Sequence, residues 1–236
     1  MYIRKLMIAL LFVVPMHLNA EDVLDQSVRD DANALILQSF QSDLGYQIIE
    51  SLTTEVGQRL AGTEAEARAR DWGVAKFKEL GFKNVRIEPF QVEHWGGHSE
   101  HAEITSPFPQ KLTITALGGS IATAPEGIVG QVVRFENLQA LKDAPMKGLK
   151  GKIVFVDEYM TRTQDGSGYG VAVKKRSGAA VEPGKRGAVA ALIRSVGTDH
   201  HRFPHTGQMT YDQNVVKVPI AALSAPDADQ LHRALG

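Results

Sequence analysis

The stretch "GKIVFVDE", residues 151–158, narrows the available folds more than any other part of this chain. Ile153 to Val156 are apolar without a break. A strand with one wet face alternates apolar and polar residues. A short unbroken apolar run belongs instead to a strand covered on both faces. "KVPIAALS" (217–224) reads as another strand, and "GAVAALIRSV" (187–196) as a small helix leading into a buried strand. "QVVRF" (131–135) is a further short strand, and "APDADQLHRALG" (225–236) starts a helix. Strands mixed with helices in this way define an α/β fold class.

The text before residue 118 has a different texture. Residues 21–43 have an acidic start and then a helical pattern, with Leu35, Ile36 and Phe40 as its expected buried stripe. "LGYQIIESLTTEVGQRL" continues in helical style through Tyr46, Ile49 and Leu52 until Gly57 breaks it. The clearest helix follows. Thr63 and Glu66 have capping-box spacing, and Gly81 is placed to terminate the helix. Ala67, Trp72, Val74, Phe77 and Leu80 give it apolar surface. "NVRIEPFQVEHW" (84–95) alternates as an edge strand through Val85, Ile87, Phe90 and Val92, with Pro89 at a kink. "HSEHAEIT" and "KLTITAL" are two more short strands. The glycine- and proline-rich residues 118–130 read as a boundary, and "TQDGSGYG" as a flexible loop.

Composition removes several functions. The formal net charge of −1 gives no overall attraction to nucleic acid or to an anionic membrane. With no cysteine, disulfides, zinc–thiolate sites and thiol nucleophiles are excluded. Residues 1–20 carry Arg4 and Lys5, a short apolar run from Leu6 to Val14, and a small residue at Ala20. That is the pattern of a signal peptide, with the mature chain expected in the periplasm or secreted. The run is shorter than the roughly 20 residues a membrane span needs.

Two histidine clusters raise the question of a metal. His200, His201 and His205 lie close together with Asp199, but adjacent residues point apart and Pro204 precludes a helical pair with His205. His94, His98 and His101 with Glu100 surround the turn "HWGGHSEH". Both clusters read as polar loops rather than metal sites. "GGSIA" places Ser120 as in a nucleophile elbow, but a turn follows where a helix is needed. "GAAVEPGKR" fails as a phosphate loop, since Arg186 follows Gly184-Lys185 where a hydroxyl should bind magnesium. "GSGYGVAV" lacks the third glycine of a dinucleotide loop. No catalytic, cofactor-binding or metal residue is assigned on these grounds.

Several linked stretches nevertheless resemble one family. Gly57, Arg59, Leu60, Gly62, Thr63 and later Gly81 match the opening turn, helix and cap of the secreted co-catalytic zinc peptidases. "ALGGSIATAPEGI", "GKIVFVDE", "ALIRSVGT", "PHTG" and "VPIAALSAPDAD", in that order, resemble its carboxypeptidase Q (plasma glutamate carboxypeptidase) branch. The resemblance implies residues 21–43 as an N-terminal helical segment and 44–118 as the first segment of a zinc exopeptidase domain. Residues 119–236 then form a protease-associated domain that is incomplete at its C-terminus. It also implies that two zinc ions and a peptide substrate belong to the full-length protein. The family's His-x-Asp and Glu-Glu metal motifs follow the accessory domain, so this chain is expected to be an inactive N-terminal portion. His205 would lie in a loop of the accessory domain. Arg59 and Thr63 would serve as a helix-start ion partner and an N-cap. "VEPGKRGA" departs from the family at Pro183 and Gly184, where the helix is expected to start later. "HWGGHSEH" also departs from the family's usual turn after the tryptophan. The alternative is an exported, non-catalytic module that binds a peptide or protein.

Overall fold

The computed structural model describes residues 24–96 and 99–236. The signal-peptide reading and His98 lie outside them. Two compact units part between His94 and Trp95, ahead of the 118–130 stretch read as a boundary.

The first unit is helical. It holds α1 (Gln26–Phe40), α2 (Leu44–Ser51), a π-helical turn (Leu52–Val56) and α3 (Glu64–Glu79). The left-handed φ of Gly57 (75°) stops the second helix, as its position implied. Thr63 accepts the Glu66 N–H as the N-cap of α3, while the Glu66 carboxylate turns to Arg70 rather than back to the cap. The other end of α3 is a Schellman motif. Phe82 N–H reaches the Phe77 carbonyl at 3.0 Å and Gly81 N–H the Lys78 carbonyl at 3.0 Å. Gly81 takes the required φ of 82°, and the Phe77 and Phe82 rings meet edge-on at 5.4 Å.

Two expectations fail in this unit. The stripe on α1 is not buried, since Leu35, Ile36 and Phe40 are 67%, 51% and 84% exposed. Residues 84–95 form no strand, because among the described residues no neighbouring backbone pairs with them, and Ile87, Phe90 and Val92 stay exposed. Among the described residues of this unit, Val56 is the only buried apolar side chain. Periodicity specified an apolar face, but no described residue of the unit buries it.

The second unit has its own core. Its five-stranded sheet has the order β3-β7-β6-β5-β4, from β3 (Ile114–Ala116), β4 (Val132–Phe135), β5 (Ile153–Val156), β6 (Ala190–Arg194) and β7 (Ile220–Leu223). The last four strands are parallel, and β3 joins β7 antiparallel with Ile114 opposite Leu223. A small hairpin, β1 (Ala102–Ile104) with β2 (Gln110–Leu112), precedes β3. The run "KLTITAL" is thus split at Thr113, whose N–H bonds Asp227 instead of a strand.

Both faces of the sheet are covered, as the apolar run of β5 required. Val154, Val156, Ile193 and Ala222 pack with Leu138 and Leu141 of α4 (Leu138–Asp143) and Ala179 and Ala180 of α6 (Lys175–Lys185). Phe155 and Leu223 face the other way, toward Ala228 and Leu231 of α7 (Ala225–Leu235) and Ile104 and Leu112 of the hairpin.

Three local readings are corrected here. Of the stretch "TQDGSGYG" read as a flexible loop, Ser167 to Gly170 are helical, because α5 spans Ser167–Ala172. A Cβ on Gly168 would overlap the Thr161 carbonyl oxygen, so the glycine permits the close approach. No helix precedes β6 within 187–189, since the chain emerges from α6 directly into the strand. That helix does not start late. It runs from Lys175 through Pro183 in its last turn, where the missing N–H removes only one bond, and the Pro183 carbonyl accepts Arg186 and Ala188 N–H. Gly184 sits where a Cβ would overlap the Val216 carbonyl.

Candidate functional site

In parallel sheets the carboxyl ends of the strands gather functional groups. In the second unit, three buried or half-buried carboxylates collect there with six cationic or aromatic partners. Asp157 follows β5 directly and is fully buried. It accepts Arg134 Nε at 2.6 Å, Arg194 Nε at 2.7 Å and His232 Nδ1 at 2.8 Å. Asp229, on α7, accepts Arg194 Nη2 at 2.7 Å, the Tyr159 hydroxyl at 2.8 Å and His200 Nε2 at 2.9 Å. Arg194 also stacks on the Tyr159 ring, with Cζ 3.8 Å from its centre. Asp227 accepts the hydroxyl of Ser224, the N-cap of α7, at 2.6 Å, accepts Thr113 N–H at 3.0 Å and pairs with Arg202.

The local charges fix the protonation states. Burial pushes the Asp229 carboxyl up, but hydrogen bonds from His200, Tyr159 and Arg194 outweigh it and hold the group down to about 2. Asp227 is likewise lowered, its burial outweighed by Arg202, Ser224 and Thr113. Burial and the bond to Asp229 raise the Tyr159 phenol. Lys175, fully buried at the start of α6, is brought down to about 8 by desolvation, which the Glu158 charge only partly opposes. Its ammonium donates to the Glu158 carbonyl at 2.5 Å.

This arrangement fixes α7 and the loops after β5 and β6 to the end of the sheet. It contains no free nucleophile–base pair. Ser195 Oγ donates to the Leu223 carbonyl at 2.6 Å and accepts His205 N–H at 2.9 Å. Ser120 Oγ donates to the Ile121 carbonyl at 3.0 Å and accepts Ile220 N–H at 2.9 Å. Shallow grooves of about 270 Å³ each border this arrangement. One lies between the hairpin and α7 near Phe108 and Arg233, and one beside Tyr159, Thr163 and Ser167.

The residues singled out from sequence are dispersed. His200 turns to Asp229, and His201 to Asp199 at 3.3 Å. The His205 Nδ1–H meets the Val196 carbonyl. His94 packs over the Gly62 turn and faces the Ala61 carbonyl at 3.4 Å. His101 lies 3.8 Å from Glu103, and Glu100 accepts Ala116 N–H at 2.8 Å. Arg59 donates to the Leu52 carbonyl at 3.3 Å, so its partner is backbone rather than an ion. Thr63 is an N-cap. Arg186 pairs with Glu182, as does Lys185 at 2.9 Å.

The motif search missed Asp157, Arg194, Tyr159, Asp229 and His232. A signal was present: a charged residue ends or follows each apolar run, in "IVFVD" and "ALIR".

Comparison with known proteins gives consistent relatives. No family model matches the chain. Carboxypeptidase Q from Bos taurus is 36% identical over 191 residues, covering 80% of this chain and 38% of that protein. The Xenopus laevis protein of the same name is 34% identical over 210 residues, covering 88% and 43%. Among solved structures, a peptidase M28 precursor from Shewanella amazonensis superposes with a TM-score of 0.84 at 48% identity, covering 87% of this chain and 47% of that one. BSAP, a zinc aminopeptidase from Bacillus subtilis, shares the fold at a TM-score of 0.53 and 19% identity. The chain therefore spans less than half the length of the relatives it matches.

Proposed function

This chain belongs to the zinc peptidase family of carboxypeptidase Q, and from that premise we propose that it forms the non-metal-binding part of an exported zinc-dependent exopeptidase that hydrolyses peptides or dipeptides. The observation that carries the reading is the 48% identity to the peptidase M28 precursor, sustained over 87% of the chain at a TM-score of 0.84. In this reading the first unit belongs to the peptidase domain and the second is the protease-associated module. The module would start before residue 119, because β3 is hydrogen-bonded into its sheet. Residues 1–20 would act as the signal peptide, delivering the rest to the periplasm or the medium.

The family's zinc does not fit the residues described here. Among them, no three His, Asp or Glu side chains are grouped so as to hold an ion. The imidazoles of His94, His101, His200, His201 and His205 face carbonyls or single carboxylates instead. The role left to this chain is structural. It fixes the sheet end, α7 and the loop after β6 through the charge network, and it presents the uncovered apolar faces of the first unit.

The test is direct. The purified 236-residue chain, incubated with zinc and a panel of dipeptides, should hydrolyse none of them above the buffer rate. Turnover that survives substitution of His200, His201 and His205 would refute the assignment. Turnover lost in that variant would make the histidine cluster the site.

A further inference from the structure

Three arginines of the second unit are deeply buried: Arg176 at 7% exposure, Arg186 at 6% and Arg194 at 3%. Two of them are neutralised, Arg186 by Glu182 and Arg194 by Asp157 and Asp229. Arg176 has no carboxylate partner among the described residues. Its Nη1 donates to the Tyr169 hydroxyl at 3.1 Å and its Nη2 to the Thr206 carbonyl at 2.7 Å. Its Nε is the one buried side-chain nitrogen or oxygen among the described residues with no hydrogen bond. The adjacent Lys175, also buried, donates to a backbone carbonyl and makes no salt bridge either.

A buried guanidinium without a counter-charge is strongly disfavoured, and an unmet N–H adds to the penalty. We propose that Arg176 anchors a carboxylate-binding site between α5, the start of α6 and the 204–207 loop. A guanidinium offers five N–H donors, of which this one uses two. A carboxylate is the anion that matches a single planar fork and its single charge. Among the described residues, the other side chain hydrogen-bonded to the guanidinium is the neutral Tyr169 hydroxyl.

Gly207 and Tyr169 border the guanidinium on two sides. A Cβ on Gly207 would overlap Nη1, so glycine is what leaves the guanidinium uncrowded on that side. Tyr169 lies over the guanidinium, 5.8 Å from Cζ to ring centre, yet is itself 40% exposed. Turning that ring uncovers the fork. The site is independent of the peptidase reading. Its carboxylate comes either from a diffusible acid or from an acidic side chain of the polypeptide environment.

The experiment follows the Arg176 Nε–Hε resonance in the ¹⁵N-labelled 236-residue chain as sodium acetate replaces sodium chloride at constant ionic strength. The expected result is a saturable downfield shift confined to Arg176, with the Arg194 Nε–Hε signal unmoved as a control for the fold. Acetate affinity, read from line broadening of ¹³C-acetate, should fall by about tenfold, or about 1.4 kcal/mol, in Arg176→Lys, which keeps the charge and loses the fork. N-acetylalanine and its amide distinguish the sources. Binding of the acid and not the amide assigns a diffusible carboxylate, whereas binding of acetate alone assigns a protein side chain that fills a narrow site. An Arg176 signal that stays fixed up to the highest acetate concentration, or moves equally with chloride, overturns the proposal.

Discussion

Replacing Asp157 by asparagine should destabilise the second unit by about 3 kcal/mol, the low end of the range for breaking a buried ion pair. The carboxylate is fully buried and receives N–H donors from Arg134, Arg194 and His232. Asparagine keeps one acceptor oxygen but turns an NH₂ donor toward at least one of those donors. The low end applies because the stranded charge is partly relieved. Arg194 retains Asp229, while Arg134 and His232 side chains are 28% and 41% exposed and can rehydrate. Urea unfolding reads the effect cleanly in a Trp72→Phe background, which leaves Trp95 as the sole indole in a chain with two. Trp95 reports on the second unit because its Nε1 donates to the Ser120 carbonyl at 3.0 Å. With a urea slope of about 2 kcal/mol/M, the midpoint should fall by about 1.5 M. Adding Arg194→Met should cost less than the sum of the two single losses, since the pair is coupled. A midpoint drop of less than about 0.3 M, or strict additivity, would show that Asp157 does not hold the sheet end together.

Limited proteolysis should cut the first unit well before the second, and a hydrophobic dye should bind the intact chain, because Leu35, Ile36, Phe40 and Phe90 are exposed while the second unit buries two apolar clusters. Uniform protease resistance with one sharp transition would contradict this. Gly168→Ala should destabilise the second unit by about 1–3 kcal/mol in urea melts, as its methyl meets the Thr161 carbonyl, whereas Gly170→Ala, with open space around it, should not. Stability should rise with pH in two separate windows, one acid and one alkaline. Asp229 has a lowered pKa, so its contribution is complete above the ordinary carboxylate range and is lost as pH falls toward about 2; Asp229→Asn should flatten that acid limb. Lys175 binds its proton less readily folded, at about 8, than its ordinary 10.5, so stability should rise with pH between those values and Lys175→Met should abolish the rise.

The sequence by itself determined the local chemistry. The unbroken "IVFV" called for a strand covered on both faces, and both faces are covered. Thr63, Gly57 and Gly81 marked the bounds of helices because capping and left-handed φ depend on a few adjacent residues. The family was legible for the same reason, in short linked motifs. What needed tertiary structure was every contact between distant segments. Asp157 and Arg194 end apolar runs, but only the parallel register of β5 and β6 brings them to 2.7 Å, and only the return of α7 adds Asp229 and His232. The alternation in 84–95 suggested a strand, but a strand exists only when another backbone supplies its hydrogen bonds, and no described residue does so there. Likewise, the stripe on α1 encodes a surface to be buried without encoding what covers it, because burial is a property of two surfaces and the pattern describes one.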